Sequence, residues 1–240
     1  MLVLYQFQHS AFCLKVRMAL RAKKLSFRTV EVTPGIGQIK IFRLSGQKQL
    51  PVLVDGENVI SDSSEIIQYL ECNYPETSLI PSDPKEAGLV HLLTNWSDTT
   101  LAKATKKALI KSATLDQELL VALLPNEIPI KIKNFAKVFP GEIINRLSNL
   151  TEQKETLDLE HNLEEISKLV KENNFLIGDS ISIADIAIAA QLSLIKFPFS
   201  AGTVLAGKGC KRLYNNSKLI SLFSWRDNLE KMLKIDEQKA

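Results

Sequence analysis

The sequence predicts an α/β domain at the N-terminus followed by an all-α domain. Three observations carry this expectation. Strand-like and helical runs alternate from Leu2 to Glu71. A stretch rich in proline and serine follows, with Pro75, Ser78, Pro81, Ser82 and Pro84. Beyond it the apolar residues keep helical spacing almost to the C-terminus.

Leu2-Val3-Leu4-Tyr5 reads as a short buried strand. Ala11 to Lys23 has helical spacing, with Leu14, Val16, Met18, Ala19 and Leu20 apolar and Lys15, Arg17 and Arg21 polar. Phe27 to Val32 alternates like a half-buried strand, so the first 32 residues form a βαβ unit with parallel strands. Thr33 to Lys48 reads as a less regular connection holding Gly35, Gly37 and Gly46. Gln49 to Asp55 is a strand entered through Pro51, Asp55-Gly56 a turn, and Val59-Ile60-Ser61 the returning strand of a hairpin. Ser63 to Glu71 places Ile66, Ile67 and Leu70 on one helical face. This element order is that of a thioredoxin-like domain. It gives a first domain over 1–74, a linker over 75–84 and a helical domain over 85–240. Helices are expected at Lys85–Lys111, Leu115–Leu124, Gly141–Leu147, Leu150–Glu172, Ile183–Ile195 and Lys218–Lys234, while Pro125 to Pro140 fits no element.

Composition sets the bounds. A chain of 240 residues buries roughly 70–75% of its unfolded surface, enough for a substantial core. A net charge of +3 does not argue for nucleic acid or an anionic membrane, and Lys208, Lys211, Arg212, Lys218 and Arg226 read as a solvated face. No run approaches the roughly 20 apolar residues of a membrane span. The chain opens without the pattern of a secretory signal. Cys13, Cys72 and Cys210 are too sparse for a disulfide framework and favour a reducing compartment, and with His9, His91 and His161 far apart no metal site is expected.

Four stretches are candidates for function. The first, His9-Ser10-Ala11-Phe12-Cys13-Leu14-Lys15-Val16-Arg17, lies between the first strand and the first helix. A helix N-terminus offers unpaired N–H groups and a positive dipole end, which stabilise a thiolate. Ser10 either only caps the helix or also donates its hydroxyl to a bound sulfur. The second is Gln49-Leu50-Pro51-Val52, where Pro51 is either an ordinary trans proline or a cis one that leaves the Leu50 backbone to pair with an extended peptide. The third, Asp62-Ser63, opens a helix. It either only caps it or also grips an amino acid's carboxylate and ammonium. In the fourth, Ser182 stands three residues before Asp185, as in a capping box that opens a strongly apolar, buried helix.

Together these stretches resemble the soluble glutathione transferase superfamily, over nearly the whole chain. Ser10-Ala11-Phe12-Cys13 is similar to its Ser-Pro-Phe-Ser or Cys-Pro-Tyr-Cys turn, with Ala11 in place of proline. Gln49-Leu50-Pro51-Val52-Leu53 is similar to its Val-Pro-x-Leu strand with a cis-proline, and Asp62-Ser63 to its Glu-Ser pair, with a shorter acid. Phe175 to Asp185 resembles its C-terminal capping-box motif, the most specific of the four. The resemblance implies that Ser10 hydrogen-bonds the glutathione sulfur and keeps it as thiolate, the reactive form. It implies that the Leu50 backbone, next to Pro51, pairs with the cysteinyl unit, that Asp62 and Ser63 bind the γ-glutamyl end, and that Gln49 reaches the glycyl carboxylate. A small electrophile then lies against the helical domain near Trp96. Tyr5, one residue out of line with the activating tyrosine of some classes, ranks below Ser10.

The function so implied is a transferase that adds glutathione, its co-substrate, to a small electrophile in the cytoplasm, as a homodimer, with no metal, nucleic acid or membrane partner. Two alternatives stand beside it. One is glutathione-dependent thiol–disulfide or peroxide chemistry through Cys13. The other is a non-catalytic interaction module of the same fold, since fold does not decide function.

Overall fold

The computed structural model describes residues 1–33, 36–124 and 151–235. Gly35, the Pro125–Pro140 segment and the helix expected at Gly141–Leu147 lie outside the described residues. The chain divides into two compact units, one of residues 1–95, 175–190 and 229–240, the other of residues 96–174 and 191–228.

The first unit is built on a four-stranded sheet. β1 (Leu2–Gln6) lies between β2 (Phe27–Glu31), parallel to it, and β3 (Val52–Asp55), antiparallel, with β4 (Asn58–Ser61) at the edge. The central strand is therefore covered on both faces. On one face α1 (Ala11–Ala22) and α3 (Ser63–Asn73) bury Val16, Leu20, Ile66 and Leu70 against Leu2, Leu4 and Leu53. On the other, α2 (Ile36–Ser45) brings Ile41 against Val32 and Val52, with Tyr5 and Leu50 packed beside them. This explains why β1 reads as a continuous apolar run and not as an alternating one.

α2 corrects the expectation of an irregular connection. Its apolar residues do not share a face: Ile41 is fully buried, whereas Ile39 and Phe42 are 59% and 51% exposed. The strand expected from Gln49 begins only at Val52, which leaves Gln49, Leu50 and Pro51 as its approach. The chain also reverses the polarity expected of α1, because Lys15 and Arg17 are buried in it.

Phe175 to Ala190 belongs to this unit and is held by one carboxylate. Asp185 accepts from Leu176 N at 2.7 Å, Ser182 N at 2.8 Å and Ser182 Oγ at 2.6 Å. Ile183 N then donates to Leu79 O, which ties the segment to the stretch after α3. The expected capping box is thus present, with Asp in the role usually held by Glu.

Beyond α3 run α4 (Pro84–Trp96), a π-helical turn (Ser97–Leu101), α5 (Ala102–Leu115) and α6 (Gln117–Leu123), then α7 (Thr151–Glu172), α8 (Ile183–Leu192), the single turn α9 (Lys211–Tyr214) and α10 (Ile220–Met232). The helix expected over 85–111 is continuous through the π turn and ends four residues later. The helix expected to reach Ile195 stops at Leu192. Among the described residues no helix is long and apolar enough to cross a membrane.

In the second unit Ala113, Leu119, Phe197 and Leu205 form a core cluster. Residues 196–209 close a loop through a bridge between Lys196 and Gly209. At Gly209, φ is +147° and a Cβ would stand 2.1 Å from Ile195 O, so only glycine fits. Three of the five basic residues expected on a solvated face are there: Lys211 pairs with Asp116, Arg212 with Glu160 and Lys218 with Glu164. Arg226 is not. It is fully buried, donates from Nη1 to Lys196 O and from Nε to Asp227, and so anchors the loop.

Replacing Asp185 with alanine leaves three donors, two of them buried, without their acceptor. The expected result is a loss of about 3 kcal/mol in unfolding free energy, read from urea denaturation of D185A beside the parent chain.

Candidate functional site

Register places three of the four candidate stretches at one end of the sheet. Tyr5 faces Val52 across β1 and β3, and Val52 faces Ser61 across β3 and β4. From this row β1 leads on to Ser10 and β4 to Asp62-Ser63, while Pro51 immediately precedes Val52. Residues separated by fifty positions in sequence therefore collect at the same sheet end. Topology brings them together, since β1 and β4 run out at this end and each leads into a helix N-terminus.

Ser10 is the N-cap of α1, and its Oγ accepts from Cys13 N at 3.4 Å. That bond uses an oxygen lone pair and leaves the hydroxyl proton to be donated elsewhere. Capping and donation to a sulfur are thus compatible. The Leu50–Pro51 peptide is cis. Pro51 is buried, Leu50 half-buried and Gln49 exposed.

Asp62 is the N-cap of α3, its Oδ1 accepting from Ser64 N at 2.7 Å and from Glu65 N at 3.4 Å. Its φ is +74°, a conformation that non-glycine residues rarely adopt. Strain of this sort collects at ligand-binding turns. Ser63 is buried, and its Oγ accepts from Lys15 Nζ at 3.4 Å; Lys15 Nζ also donates to Ser64 Oγ at 3.4 Å. An ammonium that is only 1% exposed therefore lies beneath the first turn of α3, where the helix dipole is already positive. This end of the unit is prepared for an anion.

Two further groups complete the surroundings. Arg17, also buried, donates to Gln6 Oε1 at 2.7 Å and to Gln8 O at 3.1 Å, and so fixes the loop between β1 and α1. His9 stands against the Phe7 ring, edge to face. Burial and the neighbouring Arg17 charge hold its imidazole below the ordinary range, so it is neutral near pH 7. His9, Lys15 and Arg17 all lie within the first candidate stretch, but the sequence alone gives none of the three a role. The signal available was two basic residues at helix positions whose neighbours are all apolar.

Cys13 is fully buried, and its Sγ accepts from Phe7 N at 3.5 Å. Burial pushes its thiol up, against the bonds from Phe7 and Ser10 and the Arg17 charge that pull it down. A reactive cysteine needs the opposite environment. Tyr5 packs with the cluster beneath α2.

The second unit contains a cavity of about 630 Å³. Trp96, Leu101 and Ile110 supply apolar wall, Lys103, Lys106 and Lys107 bring positive charge to it, and Asp158 adds one carboxylate. The π turn shapes this wall, since Leu101 closes that turn and Trp96 immediately precedes it.

Residues 4–78 match the family model described as the N-terminal domain of glutathione S-transferase. The chain is 39% identical over 85 residues to a zeta-class glutathione S-transferase of Euphorbia esula, a match covering 34% of this chain and 38% of that protein. It is 36% identical over 85 residues to a probable maleylacetoacetate isomerase of Vibrio cholerae, covering 33% and 40%. These matches span about two-fifths of each relative's length. Among solved structures, the β-etherase LigF from Sphingobium sp. strain SYK-6 superposes with a TM-score of 0.69 at 24% identity, over 99% of both chains. That likeness extends the agreement in fold through the helical region.

Two outcomes are expected from these environments. At pH 8, in the native protein, the exposed Cys72 thiol reacts rapidly with a disulfide reagent, while Cys13 and Cys210, both buried and both pushed up, react only on unfolding; counting thiols with and without denaturant reads this directly. The second concerns His9, whose folded pKa lies below its unfolded value. The unfolded chain therefore binds a proton that the folded chain refuses. The stabilisation is complete above about pH 6.5 and is lost as pH falls below it. Urea unfolding at pH 7.5 and 5.5 should show a larger loss for the parent chain than for His9→Gln.

Proposed function

We propose that the chain, whose residues 4–78 match the N-terminal domain of glutathione S-transferase, is a member of the soluble glutathione transferase superfamily and activates the thiolate of glutathione for attack on a small electrophile. The observation that carries this reading is the gathering of Ser10, the cis Leu50–Pro51 peptide and Asp62-Ser63 at one end of one sheet.

In this reading the Ser10 hydroxyl donates to the glutathione sulfur, while the N-terminus of α1 adds its positive dipole end. Both favour the thiolate over the thiol. The Leu50 backbone pairs with the cysteinyl unit. Asp62 and Ser63 take the γ-glutamyl end, with the Lys15 charge beneath its carboxylate, and Gln49, exposed beside them, reaches the glycyl carboxylate. The thiolate sulfur then forms a bond to an electrophilic carbon of the second substrate. The electron pair displaced from that carbon leaves with a departing group or, in an addition, takes up a proton. The division into a glutathione-binding domain over 1–74, a linker and a helical domain from 85, a cytoplasmic location and a homodimer belong to the same proposal.

Burial of Cys13 weighs against thiol–disulfide or peroxide chemistry through that residue and favours Ser10 as the group that meets the sulfur.

Calorimetric titration with reduced glutathione tests the reading. The parent chain should bind, and the Asp62→Ala/Ser63→Ala variant should bind at least tenfold more weakly. Ser10→Ala should keep most of the affinity and lose turnover with a model electrophile by about 10²-fold or more. Equal turnover in Ser10→Ala removes Ser10 from the chemistry. No binding by the parent chain moves the reading to an interaction module.

A further inference from the structure

The first unit has a second cavity, of about 560 Å³, at the opposite end of α1 from Ser10. Eleven residues of helix separate Ser10 from Arg21, about 16 Å along the axis, so the two places are distinct. Arg21 comes from the last turn of α1, Lys24 and Ser26 from the connection to β2, and Lys234 from the turn after α10. Phe27 and Leu233 contribute apolar wall. Among the described residues no Asp or Glu lines this cavity.

Three features point to an anionic ligand. Arg21 Nε is buried and has no hydrogen-bond partner, although a buried donor is normally satisfied. The guanidinium stands over the Phe27 ring, its Cζ 5.7 Å from the centroid, a cation–π contact that uses none of its N–H donors. Lys24 and Lys234 have φ of +56° and +50°, where the backbone favours glycine, yet both positions carry a lysine that lines the same cavity. A helix C-terminus attracts cations by its dipole, which accounts for one lysine beyond α1. It does not account for Lys234, which arrives from the turn after α10, nor for the unpaired Arg21 donor.

We propose that this cavity binds an organic phosphate: a phosphate monoester on an aromatic or aliphatic body, of about the size of a mononucleotide. The guanidinium fork of Arg21 matches two phosphate oxygens, and Lys24 and Lys234 neutralise the remaining charge. Phe27 and Leu233 take the body of the ligand. The volume falls within the ordinary range of small-molecule sites. This site is independent of the glutathione reading and stands or falls separately from it.

The test is calorimetric titration of the full chain with 1-naphthyl phosphate, with inorganic phosphate and 1-naphthol as separate arms. Two variants accompany the parent chain. Arg21→Gln removes the fork, and Lys24→Gly/Lys234→Gly removes both rim charges while relieving the left-handed backbone. A melting temperature no lower than the parent's verifies that each variant folds. The ester should bind the parent chain, weaken with added salt, and lose at least tenfold in affinity in either variant. The two control ligands should each bind at least tenfold more weakly than the ester. Absence of ester binding, equal affinity in both folded variants, equal binding of 1-naphthol (an apolar groove only) or equal binding of inorganic phosphate (an anion site without a body) each overturns the proposal.

Discussion

The burial of α1 is the constraint on which the first unit depends. Ten of its twelve residues are buried, and two of these are Lys15 and Arg17. A charged group taken out of water must find polar partners. Lys15 finds them on the first turn of α3, and Arg17 on Gln6 and the Gln8 carbonyl. These bonds fix both the start of α3 and the end of β1 relative to one helix. Ser10, at the head of that helix, and Asp62-Ser63, at the head of the next, are therefore held in one arrangement before any ligand arrives. Such preorganisation lowers the ordering cost of binding.

The candidate stretches were legible in sequence for a local reason. Ser10, Pro51, Asp62 and the Ser182–Asp185 pair each stand at a junction between elements, where cap and proline chemistry is written in the residues themselves. Long-range partnerships were not legible. Lys15 reaches Ser63 across 48 positions, and Arg226 reaches the Lys196 carbonyl across 30, so neither burial follows from the spacing around it. Nor was α2, whose exposed Ile39 and Phe42 blur the period that would have marked it.

The second unit shows how charge can mislead when read as composition alone. A run of basic residues near its end divides by partner: Lys211, Arg212 and Lys218 meet acids near the surface, and Arg226 turns inward to a carbonyl. The inward one decides structure. Together with Gly209 it gives residues 196–209 a fixed closure.

The π turn at Ser97–Leu101 sets the phase of every side chain after it. A π bulge amounts to one residue added to an α-helix, and each α-helical residue advances the surface by about 100°. The direction in which Lys103, Lys106 and Ile110 present themselves therefore depends on a single residue's worth of backbone upstream of them. Shortening that turn by one position would leave composition and helix content almost untouched, yet it would re-address the whole downstream wall of the cavity, exchanging its lysines and apolar residues for their neighbours by rotation alone.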